Sequence, residues 1–479
     1  MQRPFSGLNE YISRAMKAWH VPGLAIGIVK DGRTVMSEGF GVRELGAPAP
    51  VDRHTTFAIG SNSKAFTAFA LGLLVDAGEL GWDDRMTQWL KDFKLHDPAT
   101  TREARLRDLL THRTGICDGG FLEYRSGNSR ANIINKLRYL VPQHPFRSRF
   151  CYSDILYMAA GEVIPAVTGN SWSEFVERRI IRSLGMQHSH ALIAERDSNH
   201  AATPHAWVGD AIEKLEWYDD HNCAPAGGVN ASAEDMAHWL TMLLDEGCYQ
   251  GNRLASSEIV QAMRTPQIDV PDDSWEGRLF NSFNPQMQGL GYGLALFTAR
   301  YRGEPAAWHY GQTDGMQAVL GMLPGRRLGV VVLSNLEWNW LPLALMYRVF
   351  DAELGAHPTD WSEKIRHRWE KLRAEERRRR QIVAASGNPD KPPSLPLDAY
   401  AGHFSDPLYG EAVVTIEDGK LVLTRGLYVG DMRPFERDTF SVEWRYRYLG
   451  DAYAEFKLDP AGHIDTLTLS GVGTYSRQA

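Results

Sequence analysis

A long charged segment divides the 479-residue chain into two parts with different patterns. This segment, residues 359–394, contains four consecutive arginines at Arg377–Arg380 and a pair of prolines near its end. Apolar segments before it alternate between strand-like and helix-like patterns, whereas those after it are short and strand-like throughout. The sequence therefore predicts a first domain at residues 1–358, a charged helical linker, and a second domain at residues 395–479.

Turn dipeptides in the first part indicate an antiparallel sheet. Asp31-Gly32 joins two strand-like segments near the N-terminus, and Pro324-Gly325 joins two more near the end of this part. Between them, Ser63–Ala77 is nearly all apolar, which is typical of a helix buried on every side. We predict the α+β class, with an antiparallel sheet flanked by helices and a separate helical lobe. The second part, with strands separated by turns such as Asp418-Gly419, predicts a small all-β barrel or sandwich.

The charge balance argues against proteins that bind polyanions through a basic surface. Fifty-two Lys and Arg against fifty-nine Asp and Glu give a formal net charge of −7, so we expect no nucleic-acid partner. The linker arginines would suit RNA or an anionic lipid, but without interleaved aromatic residues they favour a solvated helix. No apolar run approaches the roughly 18 residues of a membrane span. The N-terminus lacks a signal-peptide pattern, which predicts a cytoplasmic protein.

Cysteine and histidine spacing gives no indication of a metal site. The four cysteines, Cys117, Cys151, Cys223 and Cys248, show no C-x-x-C spacing, and we predict reduced, partly buried thiols. His188 and His190 form a tight pair without a third ligand at a recognisable spacing. We therefore expect neither a metal nor a cofactor.

A candidate nucleophile lies at the start of the apolar helix. Ser61 and Lys64 form an S-x-x-K element, and residues three apart on a helix share a face, so the lysine would project alongside the serine. A lysine in that position can help to deprotonate the hydroxyl, and a helix N-terminus favours negative charge at the reacting centre. Alone, this spacing is a weak signal, because ordinary helix starts often contain it.

Two further elements follow in a fixed order. Tyr152-Ser-Asp154 precedes an apolar helix, and His309-Tyr-Gly311 precedes a late strand pair. The set resembles the signature of the penicillin-recognising serine hydrolases: S-x-x-K, Y-x-N, and K-T-G or H-x-G. Three more segments resemble the class C β-lactamase-related group of esterases and peptidases: Leu109–Gly115, Ile181–Met186 and Pro225–Asp235. The resemblance, which covers roughly residues 8 to 350, implies the β-lactamase/transpeptidase-like fold.

The end of the chain resembles a second family feature. Leu395-Pro-Leu-Asp-Ala-Tyr400-Ala-Gly402-His-Phe404 is similar to the lipocalin-like appendage of some of these enzymes, including self-compartmentalising peptidases. In those proteins the barrel helps assembly and shapes access to the active site. The resemblance therefore implies a lipocalin-like β-barrel domain and a homo-oligomer.

The resemblance also assigns roles. Ser61 would attack a carbonyl to form an acyl-enzyme, and Lys64 and Tyr152 would accept and relay its proton. The backbone N–H groups of Ser61 and Gln312 would hold the oxyanion. The remaining residues implied to contact substrate are Asp154, His309 and Gly311.

Two departures from the family pattern bear on substrate. His309 replaces the usual lysine, so it offers hydrogen bonding or partial charge at neutral pH. Asp154 replaces the usual asparagine, and its carboxylate accepts hydrogen bonds only. It either favours a substrate with a free amine or simply pairs with Lys64.

The predicted function is a serine hydrolase that cleaves a peptide or amide, with a D-amino-acid-containing or free-amine substrate as one form of it. A carboxylesterase of the same fold is the nearest alternative. The alternative from another functional class is a non-catalytic binding or assembly protein that retains the fold. The intact Ser61, Lys64 and Tyr152 favour the enzyme, whereas Asp154 leaves the binding protein open.

Overall fold

The contacts within a computed structural model divide the chain into two compact units. The structure describes residues 5–117, 119–219, 221–388 and 390–478. The first unit comprises Met1–Asp118 and Val141–Glu370, and the second comprises Gly119–Leu140 and Lys371–Ala479. This division differs from the boundaries predicted at residues 358 and 395, because an internal segment lies with the second unit and the division falls within the linker.

An antiparallel sheet of eight strands forms the centre of the first unit, as far as the described residues show. Its order is β2-β1-β8-β7-β6-β5-β4-β3. The strands are β1 (Gly23–Lys30), β2 (Arg33–Gly41), β3 (Ile268–Asp269), β4 (Met287–Tyr292), β5 (Phe297–Tyr301), β6 (Glu304–Thr313), β7 (Met316–Leu323) and β8 (Leu328–Ser334). Asp31 and Gly32 both have positive φ, 50° and 73°, as the predicted tight hairpin requires.

Helices cover this sheet and build a separate lobe. The longer helices are α1 (Leu8–Trp19), α2 (Ser63–Asp76), α3 (Asp154–Gly161), α4 (Ala233–Leu244), α5 (Leu341–Glu353) and α6 (Trp361–Ser386). Shorter helices lie at Met86–Trp89, Pro98–Glu103, Leu106–Leu110, Arg130–Lys136, Val163–Thr168, Trp172–Val176, Ala224–Gly227, Ser257–Arg264 and Trp275–Phe283. Short strand pairs join Phe57–Ala58 to Asn230–Ala231, His205–Val208 to Ala211–Lys214, and Cys248–Tyr249 to Asn252–Arg253.

The two faces of the sheet receive different helices because side chains alternate along a strand. Gly27 and Gly329 face α4: a Cβ on Gly27 would lie 2.7 Å from the carbonyl oxygen of Ala233, and one on Gly329 would lie 3.1 Å from the Leu240 side chain. Ile26, on the opposite face of β1, belongs to an apolar core that includes residues of α1 and α5. The predicted helix-flanked antiparallel sheet is therefore confirmed.

The first turns of α6 belong to the first unit. The Trp361 indole is buried and donates to Asp351 Oδ2 at 2.7 Å. The other oxygen of this buried carboxylate accepts from the Tyr301 hydroxyl at 2.6 Å and from Arg302 Nε at 2.7 Å. A chain ending at residue 358 would lose Trp361 and leave part of the Asp351 site unfilled. Arg377–Arg380, farther along this helix, are exposed.

The second unit is built around a closed antiparallel barrel of eight strands. They are β9 (Gly402–Asp406), β10 (Gly410–Glu417), β11 (Lys420–Arg425), β12 (Tyr428–Glu436), β13 (Thr439–Trp444), β14 (Asp451–Leu458), β15 (Ile464–Leu469) and β16 (Gly473–Arg477). Alternate residues such as Leu421 and Leu423 fill one apolar core. The turn spacing predicted either a barrel or a sandwich, and the structure shows the barrel.

Residues 119–140 pack on this barrel within the second unit. Arg425 Nη2 donates to the carbonyl oxygen of Phe121 at 2.6 Å. The backbone N–H of Leu427 donates to the carbonyl oxygen of Arg125 at 2.9 Å. Both acceptors are main-chain atoms, so the sequence pattern of the segment gives no sign of these contacts.

The prediction of four reduced thiols is wrong for one pair. Cys117 and Cys151 form a disulfide, with 4.7 Å between their Cα atoms. Cys223 and Cys248 are half-buried and lie outside this disulfide. The pairing was not predictable from spacing, because folding brings together residues 34 positions apart. Among the described residues, no helix has both the length and the hydropathy to cross a bilayer.

Candidate active site

Ser61 lies in a short turn, Gly60–Asn62, that leads directly into α2. The helix starts two residues after Ser61 and places Lys64 one turn beyond it, with Nζ donating to Ser61 Oγ at 2.9 Å. Lys64 is fully buried, whereas Ser61 is half-buried. The predicted side-by-side arrangement of serine and lysine is therefore present.

The buried ammonium of Lys64 has three acceptors around it. Besides Ser61 Oγ, Nζ donates to the carbonyl oxygen of Ala226 at 3.1 Å and to Asp154 Oδ1. It also lies 4.8 Å from the centroid of the Tyr152 ring. A buried ammonium needs such partners to stay charged, and here every N–H has one.

Tyr152 approaches the nucleophile from the segment that precedes α3. Its hydroxyl lies close enough to Ser61 for the interaction between them to affect the pKa of Tyr152. Burial raises the pKa of Tyr152 well above 10, and the Asp154 carboxylate raises it further, while the interaction with Ser61 acts in the opposite direction. The phenol is therefore neutral at rest. Ser61 Oγ is flanked by two protonated groups, an ammonium and a phenol.

Asp154 has one oxygen engaged and one available. Oδ1 accepts from Lys64, and the described residues place no hydrogen-bond donor on Oδ2. About a third of the side chain, 34%, is exposed. The structure thus shows the pairing with Lys64 and an open acceptor beside it, and the preference for a free-amine substrate stays a prediction.

His112 holds the Tyr152 segment on both sides. Its carbonyl oxygen accepts from Cys151 N at 2.7 Å, and its Nδ1 accepts from Ser153 N at 3.1 Å. The imidazole stacks on the Tyr152 ring with 4.3 Å between centroids. Burial lowers the pKa of His112 well below 6.5, and the charge of Lys64 lowers it further, so the ring is neutral. His112 acts as a positioning residue for Tyr152.

His112→Phe is expected to lower kcat about tenfold with little change in KM, which corresponds to one lost hydrogen bond of about 1.4 kcal/mol. Phenylalanine retains a stacking ring but offers Ser153 N–H no acceptor. His112→Asn should restore most of the rate, since an asparagine oxygen can replace Nδ1 and asparagine tolerates the positive φ of 54° at this position. Steady-state kinetics of both variants test this. Equal losses in both would show that the hydrogen bond is not the cause.

His309 lies on β6 and is fully buried behind the Tyr152 ring, 6.1 Å between centroids. Its Nδ1 lies 2.5 Å from the Tyr310 carbonyl oxygen, and its Nε2 lies 3.2 Å from the Tyr292 hydroxyl. Burial lowers its pKa to about 3, and the charge of Lys64 contributes. The imidazole is therefore neutral at neutral pH, which removes the option of a partial charge there. Its contact with substrate stays a prediction.

Gly311 and Gly60 allow β6 to approach the Ser61 turn backbone to backbone. A Cβ on Gly311 would lie 1.8 Å from the carbonyl oxygen of Ile59, and one on Gly60 would lie 2.6 Å from Gln312 N. Any side chain at either position would push the strand away from the turn. The close approach brings the backbone N–H of Gln312 beside the nucleophile turn.

A small pocket adjoins these elements. Its wall includes Ala58, Gly227 and Thr313, each within three residues of a group described above. The remaining wall is formed by Ile193, Pro204, Trp217, Tyr218, Asn230, Asp314 and Met316. A small pocket lined by both polar and apolar side chains therefore lies next to the turn that carries Ser61.

Two family models match parts of this chain. The model of the beta-lactamase family matches residues 8–340, which is well over half of the chain. The chain belongs to the beta-lactamase family. A second model, a domain of unknown function (DUF3471), matches residues 387–477 and so includes the barrel strands. The resemblance inferred from the ordered motifs is confirmed, whereas the lipocalin-like character of the barrel stays a prediction.

Several beta-lactamase family relatives carry functional names. Unguisins hydrolase ungD of Aspergillus violaceofuscus is 27% identical over 458 residues, which cover 86% of this chain and 77% of the relative. Penicillin-binding protein 4 of Amycolatopsis lactamdurans is 28% identical over 321 residues, which cover 66% of this chain and 81% of that protein. The octameric penicillin-binding protein homologue from Pyrococcus abyssi has a TM-score of 0.65 at 23% identity, covering 99% of this chain and all of that chain. The structural match shows the shared fold.

Of the residues that the sequence singled out, the structure brings Ser61, Lys64, Tyr152 and Asp154 into direct contact. Two contributors to this beta-lactamase family site were not assigned a role from the sequence. The Ala226 carbonyl and His112 lie in segments noted only for their family resemblance. Only the resemblance of these two segments to the family could have pointed to the two groups. A backbone carbonyl and a buried neutral histidine give no recognisable residue spacing.

Proposed function

We propose that this protein is a serine hydrolase that cleaves a peptide or amide bond through an acyl-enzyme on Ser61. The observation that carries the proposal is the hydrogen bond that Lys64 donates to Ser61 Oγ, with the Tyr152 hydroxyl close to the same serine. The relatives named as a hydrolase and a penicillin-binding protein support hydrolysis over a purely structural role.

The proposed reaction begins when the pair of Lys64 and Tyr152 has lost one proton. That pair then accepts the Ser61 proton as Oγ attacks the substrate carbonyl, and it passes the proton to the leaving amine. The N–H groups of Ser61 and Gln312 stabilise the oxyanion. A water molecule then attacks the acyl-enzyme by the same route and regenerates Ser61.

Labelling with a fluorophosphonate, read by intact mass, tests this function. One adduct is expected on the parent protein and none on Ser61→Ala, because the reagent reacts with an activated serine hydroxyl. Failure of the parent to react, together with no turnover of activated esters, would instead support a non-catalytic binding protein. Esters and amides compared at equal concentration separate the peptidase from the carboxylesterase.

Asp154 is the proposed determinant of substrate charge. Its available oxygen would attract a free amine near the scissile carbonyl, by about 1 kcal/mol in water and about 4 kcal/mol in a partly enclosed site. Lys64 cancels part of this attraction. We expect an aminoacyl amide to exceed its N-acetylated counterpart about tenfold in kcat/KM, near 1.4 kcal/mol. Asp154→Asn should flatten or reverse that ratio.

The same variant has a second readout. The Asp154 charge raises the pKa of Tyr152, so its removal should lower that pKa and extend activity to lower pH. The acidic limb of the pH–rate profile is therefore expected to move to lower pH in Asp154→Asn. Identical substrate ratios and identical profiles in the two proteins would leave Asp154 as a local partner of Lys64 alone.

Self-association is part of the proposal. The structural relative from Pyrococcus abyssi is described as octameric, and it matches this chain over nearly its full length. We expect a homo-oligomer, and sedimentation velocity measures it directly. A monomer at micromolar concentration would contradict this part without affecting the proposed chemistry.

A further inference from the structure

A cluster of metal-binding side chains lies beside the Tyr152 segment, within the first unit. Cys117, His144 and Cys151 each offer one ligand atom, and these atoms all lie within 4.8 Å of one another. The two cysteines are joined as a disulfide. None of the three takes part in the hydrolytic chemistry proposed above.

Hydrogen bonds hold the three segments together independently of the disulfide. The Gln143 side chain accepts from Cys117 N at 2.9 Å and donates to the Cys117 carbonyl at 3.1 Å. The backbone N–H groups of Gln143 and His144 both donate to the carbonyl oxygen of Gly115, at 2.9 and 3.2 Å. Cys151 N donates to His112. These bonds would keep the three ligand residues close to one another after the sulfur–sulfur bond is broken.

The His144 imidazole has no other role among the described residues. No described side chain or backbone group makes a hydrogen bond or an ion pair with its ring, and the residue is half-buried. A neutral imidazole is a common zinc ligand, and it lies here next to two sulfurs.

We propose that reduction of the Cys117–Cys151 disulfide creates a zinc site formed by Cys117, His144 and Cys151, with its fourth position open to water. Two thiolates and one imidazole match the ligand preference of zinc. Tetrahedral bonds of about 2.3 Å to sulfur and about 2.0 Å to nitrogen place ligand atoms roughly 3.5–3.8 Å apart. After reduction the two sulfurs, bonded in the oxidised protein, must therefore move apart by roughly 1.8 Å. The His144 nitrogen already lies within 4.8 Å of both.

A single reductant accounts for all the atoms and electrons in the reduction of the disulfide. A phosphine supplies two electrons to the disulfide and takes an oxygen atom from water to become the phosphine oxide, while the two water protons give two thiols. Zinc then displaces both thiol protons and binds the two thiolates. The cross-link between the two segments is thus a sulfur–sulfur bond under oxidising conditions and a metal ion under reducing ones.

Cobalt titration of the full-length protein, reduced with a phosphine under anaerobic conditions, tests the site. One equivalent of Co²⁺ is expected to give a thiolate-to-cobalt charge-transfer band that zinc abolishes, and the oxidised protein should give none. His144→Ala should weaken Co²⁺ binding at least tenfold, while the oxidised variant keeps the melting temperature of the parent.

Two variants serve as matched controls. His463→Ala removes a histidine that is 81% exposed on the second unit, and Cys248→Ser removes a free thiol. Neither should change Co²⁺ affinity. No charge-transfer band in the reduced parent, unchanged affinity in His144→Ala, or loss of the band in Cys248→Ser would each overturn the proposal.

Discussion

Ser61→Ala is expected to reduce the kcat/KM for an activated ester by about 10⁴-fold or more. The substitution removes the atom that would form the acyl-enzyme and leaves Lys64, Tyr152 and the Gln312 N–H in place. Since those groups can still polarise a bound carbonyl, a small residual rate above the uncatalysed reaction should remain. Initial rates with a chromogenic ester measure the loss.

Ser63→Ala provides the matched control for this substitution. Ser63 lies two residues away, is fully buried, and its Oγ accepts from Val229 N at 2.9 Å. Loss of this acceptor should lower the free energy of unfolding by about 1–3 kcal/mol and leave kcat within tenfold of the parent. Ser61→Ala should show the opposite pattern, with a melting temperature close to that of the parent. A rate for Ser61→Ala within tenfold of the parent would reject Ser61 as the nucleophile.

Tyr152→Phe is expected to lower the acylation rate by about 10²- to 10⁴-fold, the range of general acid–base catalysis. Only the hydroxyl that contacts Ser61 is removed, and the ring keeps its stacking on His112 and its position near Lys64. The loss should be greater for an amide than for an activated ester, because an amine leaving group must be protonated. Single-turnover kinetics with both substrates measure the two losses.

Tyr157→Phe distinguishes proton transfer from packing. The Tyr157 ring also lies near Lys64 Nζ, 5.5 Å from its centroid, but the hydroxyl donates to the Leu110 carbonyl oxygen at 2.6 Å. We expect its kcat to stay within tenfold of the parent. Similar losses in Tyr152→Phe and Tyr157→Phe would indicate that the surroundings of Lys64, rather than the Tyr152 hydroxyl, control the rate.

The parts of the site that are local in sequence were the most predictable. Ser61 and Lys64 are three residues apart at a helix start, so helix geometry alone places the ammonium beside the hydroxyl. Tyr152 and Gly311 come from distant segments, and only the order of the motifs related them to Ser61. The charge of Asp154 was enough to predict a partner for Lys64, but not the exposure of its second oxygen.

What the sequence did not predict depends on tertiary contacts. The motif that contains His309 does not reveal its burial, yet β6 carries this histidine into an aromatic core where it is neutral. The disulfide and the place of Gly119–Leu140 depend on long-range contacts that no periodicity records. The barrel was predictable as β structure because its turn dipeptides recur at short intervals, and the resemblance to the lipocalin-like appendage favoured its closure.

The second unit is built from two separate chain segments, so the ribosome makes its parts at different times. Of the two segments of this unit, Gly119–Leu140 leaves the ribosome before the one that begins at Lys371. About 230 residues of the first unit are made between them. At 5–20 residues per second, that interval lasts roughly 10 to 50 seconds. During this time the carbonyls that later accept from Arg425 and Leu427 are hydrated instead. The second unit therefore completes its folding only after the last barrel strand has left the ribosome, and a chain whose synthesis stops before the barrel keeps this segment without its contacts to Arg425 and Leu427.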